Sequence, residues 1–463
     1  MKPSNDQPLG SAEDDFVDLP RCTMSTVTAS PPSTAALLAT RLAARSAADA
    51  TFWDFSSIYG RDGGHGYFQY PAMMVPELQR ALLEDLVAVD PRVSRVYDPF
   101  MGSGTVMLES LYLGLDFIGS DINPMAVLLS AVKADPPASD AARQAGVEVL
   151  ARARRSRRSR PITFNFRDKW FEPDVSLGLT RLRFAIQAIS DQQVRRFLWV
   201  CLAETVRFVS NSRPSTFKLH LYSDADLAAR KPDAVRQFAA VLVSNVERIR
   251  AHERTLIRTA HAPTLLRASV NDALPPRTEL ADVLMTSPPY GDNHTTVPYG
   301  QYSYLPLQWI DPADLVGDVD PSDFEVPGRL DTLSLGGNRY TARPVPAHLR
   351  DEVPSLVKWL SEREVQDATT QKVVTFVDDY RIALRHAIGR VRAGGFAFLT
   401  LGERRVSGAD VPLVRFTQEV LEAAGLTWVT RVERLLPSRK RIATRNARGE
   451  TMIRETVLVM QKA

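Results

Sequence analysis

The stretch Asp98–Thr105 reads Asp-Pro-Phe-Met-Gly-Ser-Gly-Thr and joins the apolar pair Val96-Tyr97 to a helical pattern that runs from Val106 to about Gly114. Two glycines between a strand and a helix let the backbone turn tightly and approach a ligand closely, because no side chain intervenes. The N-terminus of the following helix adds N–H groups that have no partner within the helix. This pattern predicts a cofactor-binding loop in an α/β fold.

A second motif, Thr286–Tyr290, reads Thr-Ser-Pro-Pro-Tyr and follows the apolar segment Ala281–Met285. The two motifs resemble those of the S-adenosylmethionine-dependent amino-methyltransferases, which methylate exocyclic amines of nucleic-acid bases. The Ser-Pro-Pro-Tyr form resembles the catalytic motif of the DNA cytosine-N4 methyltransferases. The resemblance extends from about Phe68 to Lys462 with one long interruption. It implies an α/β, Rossmann-like class I methyltransferase fold with a mainly parallel seven-stranded sheet and a helical insertion.

Length and composition restrict the class of protein but select no function. The 463 residues suffice for two or three compact units, or for one α/β domain with a large insertion. Hydrophobic residues at 44% and charged residues at 24% are ordinary for a globular protein and exclude wholesale disorder. No apolar run is long enough to span a bilayer, and the acidic N-terminus does not resemble a secretory signal. We therefore expect a cytoplasmic protein without membrane association.

The two cysteines, Cys22 and Cys201, lie far apart and predict neither a disulfide framework nor a zinc site. Methylation of a cytosine ring carbon needs a thiolate that follows a proline, and neither cysteine follows one. The formal net charge is only +3, so affinity for nucleic acid must come from local basic patches.

Changes in composition divide the chain into four segments. Residues 1–32 are rich in Ser, Thr, Pro and Asp and predict a disordered tail. By the resemblance, residues 33–133 correspond to the N-terminal part of a methyltransferase domain with the cofactor loop. Residues 134–261 contain helical patterns broken by basic runs and are a candidate target-recognition insertion. Residues 262–463 form the C-terminal part of the same domain with the catalytic motif.

The cofactor site is predicted from three further positions. By the resemblance, Tyr70-Pro71 before a helix that starts at Pro76 forms one wall of the S-adenosylmethionine pocket, and Asn271-Asp272 contacts the adenine ring. Asp121 ends a short strand roughly twenty residues after the loop, where an acidic side chain can bind a ribose diol. That spacing also fits NAD, but the Asp-Pro-Phe opening and the missing third glycine argue against it. The predicted cofactor-binding residues are Tyr70, Pro71, Asp98, Pro99, Phe100, Gly102, Gly104, Thr105, Asp121, Asn123, Asn271 and Asp272.

The catalytic motif suits methyl transfer to an amine whose lone pair is delocalised into a base. The Ser287 hydroxyl and the Pro288 carbonyl can each accept an N–H hydrogen bond and so direct the nitrogen lone pair at the methyl donor. Pro288 and Pro289 stiffen the loop, and Tyr290 offers a flat face to an extruded base. No metal is required. Adenine-N6 enzymes more often have Asp or Asn where Ser287 stands, so Ser287 favours cytosine.

One feature departs from family habit and leaves the substrate open. Many cytosine-N4 enzymes carry the catalytic motif before the cofactor loop, whereas here Ser287 follows Gly102. Adenine-N6 methylation of DNA and methylation of an RNA amine are therefore alternatives within the enzyme class. A non-catalytic nucleic-acid-binding module with a retained cofactor fold is the alternative from another class.

Basic residues of the insertion predict a nucleic-acid-binding surface. Six arginines lie between Arg152 and Arg160, a run that equally fits a solvated face. The segment Ser210–Lys218 combines small polar residues, Arg213, Lys218 and an aromatic in a predicted loop, a set suited to phosphates and an unstacked base. DNA is the expected partner, with a partner restriction endonuclease possible and the oligomeric state open.

The remaining pattern predicts the rest of the sheet. A helix is expected over Val373–Val391, closed by Gly394-Gly395, followed by strand Phe396–Leu401. Two antiparallel strands are expected over Thr427–Val432 and Glu455–Met460. Residues 311–354 predict a long irregular flap. Function requires that the loop with Gly102 and the loop with Ser287 open side by side.

Overall fold

The fold is known from a computed structural model of the chain. From Thr34 to Ala463 the chain forms one compact unit. The predicted tail, residues 1–32, lies outside the described residues except for its last position. The structure describes residues 32–56, 60–257, 261–272, 278–291, 296–337, 345–364, 367–406, 409–436 and 452–463.

A seven-stranded sheet is the centre of the fold, with strand order β3-β2-β1-β4-β5-β9-β8. The first five strands in that order run parallel, and β9 and β8 add an antiparallel end. This confirms the predicted Rossmann-like class I methyltransferase fold. The strands are β1 Arg95–Asp98, β2 Asp116–Asp121, β3 Thr264–Arg267, β4 Ala281–Thr286, β5 Val391–Gly402, β8 Leu426–Leu435 and β9 Arg454–Lys462, with a separate hairpin of β6 Arg404–Val406 and β7 Ala409–Val411.

Successive side chains along the central strands point to opposite faces of the sheet, and both faces are covered by helices. Helices of the N-terminal part cover one face and helices of the C-terminal part cover the other. Val96 and Val283 point to the first face, whereas Tyr97 and Leu284 point to the second. The first-face helices are α1 Thr34–Ala48, α2 Pro76–Val89 and α3 Thr105–Tyr112, and the second-face helices are α13 Ala347–Glu352, α14 Pro354–Ser361, α15 Ala368–Gly389 and α16 Leu413–Ala423.

The insertion is helical, as predicted, and shares a hydrophobic core with the sheet domain. Trp199 and Phe238 are fully buried in that core. It is closed by α4, which follows β2, and by α11. The helices of the insertion are α5 Ser139–Arg155, α6 Arg167–Trp170, α7 Pro173–Gln187, α8 Gln192–Val209, α9 Asp224–Ala229 and α10 Ala234–Glu253. The remaining helices of the described chain are α4 Pro124–Ala134, α11 Tyr299–Trp309 and α12 Arg329–Leu333, with 3₁₀ turns Phe52–Asp54, Gly63–Gly66, Pro312–Asp314 and Pro321–Phe324.

Two predictions about the C-terminal half are wrong. Helix α15 ends at Gly389, and the glycines expected to close it lie inside β5. There Gly394, at φ +71°, belongs to a bulge that shifts the register of β5 on β4. The expected flap over 311–354 contains short helices, and Leu330 and Leu349 are buried. Its residues 338–344 lie outside the described part of the chain.

The register between β1 and β4 positions the two motif loops. Val96 pairs with Val283 and Tyr97 with Leu284 in a parallel ladder. The carboxyl ends of both strands therefore meet at one edge of the sheet, where ligands bind in open α/β folds. The glycine loop after β1 and the proline loop after β4 leave that edge as neighbours.

Candidate active site

A large cleft of about 2280 Å³ opens at this edge of the sheet. It exceeds the roughly 300–1,000 Å³ of ordinary small-molecule pockets, so it has room for more than a cofactor. The glycine loop, the proline loop, the insertion and the end of β9 all contribute to its walls. The sequence-predicted residues that line it are Tyr70, Pro71, Pro99, Phe100, Gly102, Thr105, Asp121, Asn123, Arg213, Lys218, Ser287, Pro288, Pro289 and Tyr290.

The glycine loop has the backbone that its sequence predicts. Gly102 and Gly104 have φ angles of +48° and +71°, in the left-handed region that favours glycine. A Cβ on Gly104 would lie 2.7 Å from the Ser130 hydroxyl on α4, so the loop packs against that helix without a side chain between them. Gly104 itself is not among the cleft-lining residues, and its role is to shape the turn.

Asp98 lies beneath the loop and joins it to the catalytic motif. Its Oδ1 accepts hydrogen bonds from the Phe100 N–H over 3.0 Å and from the Thr286 hydroxyl over 2.6 Å. Complete burial raises the pKa of Asp98 to about 7, although both hydrogen bonds oppose the shift. Its Oδ2 has no partner among the described residues. Asp98 does not line the cleft, so it supports the loop from behind.

Asp121 faces the cleft from the end of β2, as predicted. Its Oδ2 accepts the Gly102 N–H over 2.9 Å, and its Oδ1 accepts the Asn123 N–H over 2.8 Å. Burial raises the pKa of Asp121 to about 6. Each carboxylate oxygen makes one of these bonds and keeps a lone pair for a ligand hydroxyl.

Asn123 is occupied by hydrogen bonds within the protein. Its amide nitrogen donates to Tyr70 Oη over 3.0 Å and to Ser303 Oγ over 2.7 Å, and its oxygen caps α4. The Tyr70 ring stacks on Tyr299, with ring centroids 5.8 Å apart, and lies beside Gly102. Asn123 thus orients Tyr70 as a wall of the cleft.

Two basic residues near the glycine loop were missed at the sequence level. Lys133 is fully buried, and its ammonium donates to the Ser103 carbonyl over 2.6 Å. Burial lowers the pKa of Lys133 well below its ordinary value. Arg61 lines the cleft and donates to the carbonyl of Met73 over 3.2 Å, with no described carboxylate within 4 Å. Neither belongs to a periodic pattern or motif, so no sequence signal marks them.

The proline loop places Ser287 and Tyr290 in contact. Ser287 Oγ lies 3.2 Å from Tyr290 Oη, which donates to Glu455 Oε1 over 3.4 Å. Burial raises the pKa of Tyr290 well above its ordinary value, so the phenol is neutral. The ring packs on Gly402 of β5 so closely that a Cβ there would lie 2.6 Å from it. The protein therefore contacts the Cδ2–Cε2 edge of the predicted stacking platform.

The insertion contributes an exposed basic loop to the wall of the cleft. Arg213 and Lys218 are exposed, line the cleft, and form no ion pair with any described residue. Backbone hydrogen bonds, from Arg213 N–H to the His220 carbonyl over 2.8 Å and from Tyr222 N–H to the Asn211 carbonyl over 3.0 Å, hold the loop in shape. The arginine run 152–160 does not line the cleft.

The predicted adenine contacts fall away from the cleft wall. Asn271 and Asp272 are exposed and are not among its lining residues, and Asp272 Oδ2 accepts the Ser269 N–H over 2.7 Å. The residues of this segment that line the cleft are Ala268, Ser269 and Val270. The strand β3 ends at Arg267, immediately before these residues.

Two searches of the described residues bear on the class of site. Within them, no three or more His, Cys, Asp or Glu side chains are grouped so as to hold a metal ion. None of the described helices has the length and apolar character needed to cross a membrane.

Fold and paired loops together define a Rossmann-like class I methyltransferase architecture, and sequence comparison agrees with it. The chain is 27% identical over 423 residues to the type II methyltransferase M.MvaI of Kocuria varians, a match that covers 86% of this chain and 90% of the relative. It is 35% identical over 69 residues to the type II methyltransferase M.MjaII of Methanocaldococcus jannaschii, a match that covers 15% of this chain and 12% of the relative. The chain is thus related to type II methyltransferases over most of its length.

Two other comparisons add no functional information. The solved structure of the rRNA methyltransferase aviRa from Streptomyces viridochromogenes aligns with 85% of this chain and 88% of its own, at 13% identity and a TM-score of 0.26. That score is too low to support a conclusion about this chain. No family model matches it.

Proposed function

We propose that this chain is a DNA methyltransferase that transfers a methyl group from S-adenosylmethionine to the N4 amine of cytosine in a specific sequence. The observation that carries the proposal is the placement of the glycine loop and of Ser287 on one cleft, with Thr286 hydrogen-bonded to Asp98 between them. The similarity to type II methyltransferases over 86% of the chain supports it.

The residues at the glycine loop fit S-adenosylmethionine. Gly102 carries no side chain that would block a ligand, and the Asp121 carboxylate keeps lone pairs for the ribose hydroxyls. Tyr70 and Pro71 wall the pocket, Phe100 packs on the nucleoside, and Ser269 and Val270 meet the adenine edge instead of Asn271 and Asp272. Arg61, half-buried and without an ion-pair partner among the described residues, balances the cofactor's own carboxylate. When bound, the cofactor supplies a methyl group already activated by its sulfonium.

The proline loop positions the amine. Ser287 Oγ and the Pro288 carbonyl each accept one N–H of the exocyclic amine, which turns the nitrogen lone pair toward the methyl donor. The rings of Pro288 and Pro289 fix the backbone angles of these acceptors. Tyr290, held against Gly402, lines the cleft and stacks with the base. The base must leave the duplex to reach this depth, as bases do in other enzymes that modify them.

The insertion binds the DNA. Arg213 and Lys218 line the cleft and form no ion pair with any described carboxylate, an arrangement that suits phosphates. Phe217 lies between them in sequence and packs edge-on against Tyr302, with ring centroids 6.3 Å apart. Target recognition is assigned to this segment, and a partner restriction endonuclease fits the type II relatives.

Ser287 favours cytosine over adenine, because a hydroxyl at this position is typical of the N4 enzymes. Transfer to adenine N6 or to an RNA amine remains the alternative within the enzyme class. A binding module without turnover is the alternative outside it, and the intact Ser287–Tyr290 motif argues against that alternative.

The test is transfer of labelled methyl from S-adenosylmethionine to random-sequence duplex DNA, single-stranded DNA and RNA. We expect label in duplex DNA, and label only in RNA would contradict the DNA assignment. Ser287→Ala should bind cofactor normally and lose transfer by about 10²-fold, as expected for one lost charge-stabilising contact. Ser244→Ala, on the exposed side of α10, is the matched control and should keep full activity. Equal transfer by Ser287→Ala and native protein would contradict the role of Ser287.

A further inference from the structure

A line of polar contacts leads away from the catalytic loop into the antiparallel end of the sheet. Ser287 Oγ contacts Tyr290 Oη over 3.2 Å, Tyr290 Oη contacts Glu455 Oε1 over 3.4 Å, and Glu455 Oε2 lies 3.5 Å from Arg434 on β8. Glu455 lies on β9, far in sequence from either motif, and its side chain is 16% exposed. Ser287, Tyr290, Glu455 and Arg434 all line the cleft.

The proposed reaction needs a proton acceptor at this place. An amine that gains a methyl group becomes cationic and must release one proton to give the neutral product. Ser287 and the neutral phenol of Tyr290 cannot keep that proton, since neither is a base at neutral pH. Asp98 lies behind the glycine loop and does not line the cleft. The Glu455 carboxylate lines the cleft and accepts a hydrogen bond from the Tyr290 hydroxyl.

We propose that Glu455, acting through Tyr290, receives the proton released by the methylated amine. This inference rests on the proposed function. The amine uses its lone pair to form the new nitrogen–carbon bond, while the donor's carbon–sulfur bond breaks with both electrons left on sulfur. One N–H proton then passes to Ser287 Oγ, the Ser287 hydroxyl proton passes to Tyr290 Oη, and the phenol proton passes to the Glu455 carboxylate. Glu455 ends as a neutral acid that can lose its proton to water in the cleft.

The charges around Glu455 suit a temporary acceptor. Arg434, whose side chain is 1% exposed, stabilises the carboxylate form from β8. On β5 the residue that pairs with Glu455 is the uncharged Gly402. Beyond it, Glu403 and Arg405 line the same cleft with opposite charges. Burial raises the pKa of Glu403 above its ordinary value.

Arg434 is itself held in place by contacts with Asp54, and it therefore fixes the position of the Glu455 carboxylate. Its guanidinium donates to the carbonyl of Asp54 over 3.3 Å, and the Leu435 N–H donates to the Asp54 carboxylate over 2.7 Å. The end of the hairpin formed by β8 and β9 is therefore tied to the N-terminal part of the chain. Glu455 is a positioning and relay residue, because it reaches the substrate only through Tyr290.

Single-turnover methyl transfer across pH 5.5–9 on Glu455→Gln, Tyr290→Phe and the double variant tests the relay. At neutral pH each single variant should lose about 10²-fold, the usual contribution of a positioned acceptor, and the double variant no more than either alone. The native rate should fall as the pH drops through the pKa of the carboxylate. The slow Glu455→Gln rate should instead rise with hydroxide. Glu433→Gln, next to Arg434 on β8 with a 46% exposed side chain, is the matched control and should behave as native.

A second readout needs neither cofactor nor turnover. In the cofactor-free protein labelled with ¹³C at the glutamate carboxyl carbons, the Glu455 signal is the one lost in Glu455→Gln. Its pKa should be higher in Tyr290→Phe than in native protein, because the carboxylate loses a hydrogen-bond donor. Should Glu455→Gln fail to fold, Tyr290→Phe, which keeps the ring on Gly402, tests the relay from its other end.

The outcomes separate the relay from the function on which it rests. Native protein that methylates DNA while Glu455→Gln stays within twofold at every pH overturns the relay alone. So does a Glu455 pKa that Tyr290→Phe leaves unchanged. Native protein that transfers methyl to no nucleic acid overturns the proposed function and the relay with it.

Discussion

The hydroxyl of Thr286 donates a 2.6 Å hydrogen bond to the buried carboxylate of Asp98. Thr286 ends β4 immediately before Ser287, and Asp98 ends β1 immediately before the glycine loop. This contact therefore adds a side-chain link between the glycine loop and the proline loop, whose strands are already paired. In a site where positioning supplies much of the rate, the spacing of the two loops matters more than either loop alone.

Replacement of Thr286 by Val should uncouple the two loops. The change keeps the shape of the side chain but leaves a buried carboxylate oxygen short of a donor, which costs about 1–3 kcal/mol. We expect a lower melting temperature and slower methyl transfer with little change in DNA affinity. Thr286→Ser keeps the hydroxyl and should resemble native protein. If Val and Ser variants prove equally stable and active, the contact does not couple the loops.

Alanine at Gly104 should disturb cofactor binding through the backbone. The added Cβ meets the Ser130 hydroxyl at 2.7 Å, and a φ of +71° is strained for any side chain, a cost of about 1–3 kcal/mol. Calorimetric titration with S-adenosylmethionine should show weaker binding. Gly389→Ala, at the end of α15 with open space around its Cβ, should change neither affinity nor stability. Unchanged cofactor affinity in Gly104→Ala would argue against the assigned loop.

Removal of both Arg213 and Lys218 should weaken DNA binding in a salt-dependent way. Each lost phosphate contact reduces the slope of log affinity against log salt by about 1, roughly independently of DNA sequence. Fluorescence anisotropy with duplex DNA at several salt concentrations measures that slope. Arg250→Ala, paired with Glu247 on α10 and away from the cleft, serves as the control. A slope that the double variant leaves unchanged would remove this loop from the DNA interface.

Asp98 should make the protein less stable as the pH rises from about 4 to about 7. Its folded-state pKa of about 7 lies above its ordinary value of 3.8, so between these values the folded state holds more protons than the unfolded state. Stability is lost as the pH rises through this window and levels off above it. Asp98→Asn has no such titration, so its melting temperature should improve relative to native protein between pH 5 and pH 8. A difference in melting temperature between the two proteins that stays constant over this pH range would show that Asp98 titrates normally.

Local signals in the sequence were sufficient for the fold. The glycine loop, the buried strand before Ser287 and the apolar strands at the C-terminus each have a short-range pattern, and parallel pairing of β1 with β4 follows from the architecture. The helix stop at Gly394-Gly395 was misread because a glycine pair also suits a β-bulge. The supposed flap was misread because its short helices are held by tertiary burial of residues such as Leu349.

The candidate site was predictable only where a motif marks it. Asn123 lines the cleft, but its hydrogen bonds to Tyr70 and Ser303 depend on residues that only the fold brings together. Lys133 and Arg61 have no sequence signature, because buried cations are recognised by their surroundings. Glu455 reads in sequence as one polar residue at the start of a strand.

The most direct measurement is the identity of the methylated nucleoside. Duplex DNA treated with the protein and S-adenosylmethionine is digested to nucleosides. These are separated by chromatography, and their masses and retention times are compared with those of authentic standards. Our account predicts N4-methyldeoxycytidine, absent from DNA treated with the Ser287→Ala variant. Methyl on adenine N6, methyl on the cytosine ring carbon, or unmodified DNA would contradict it.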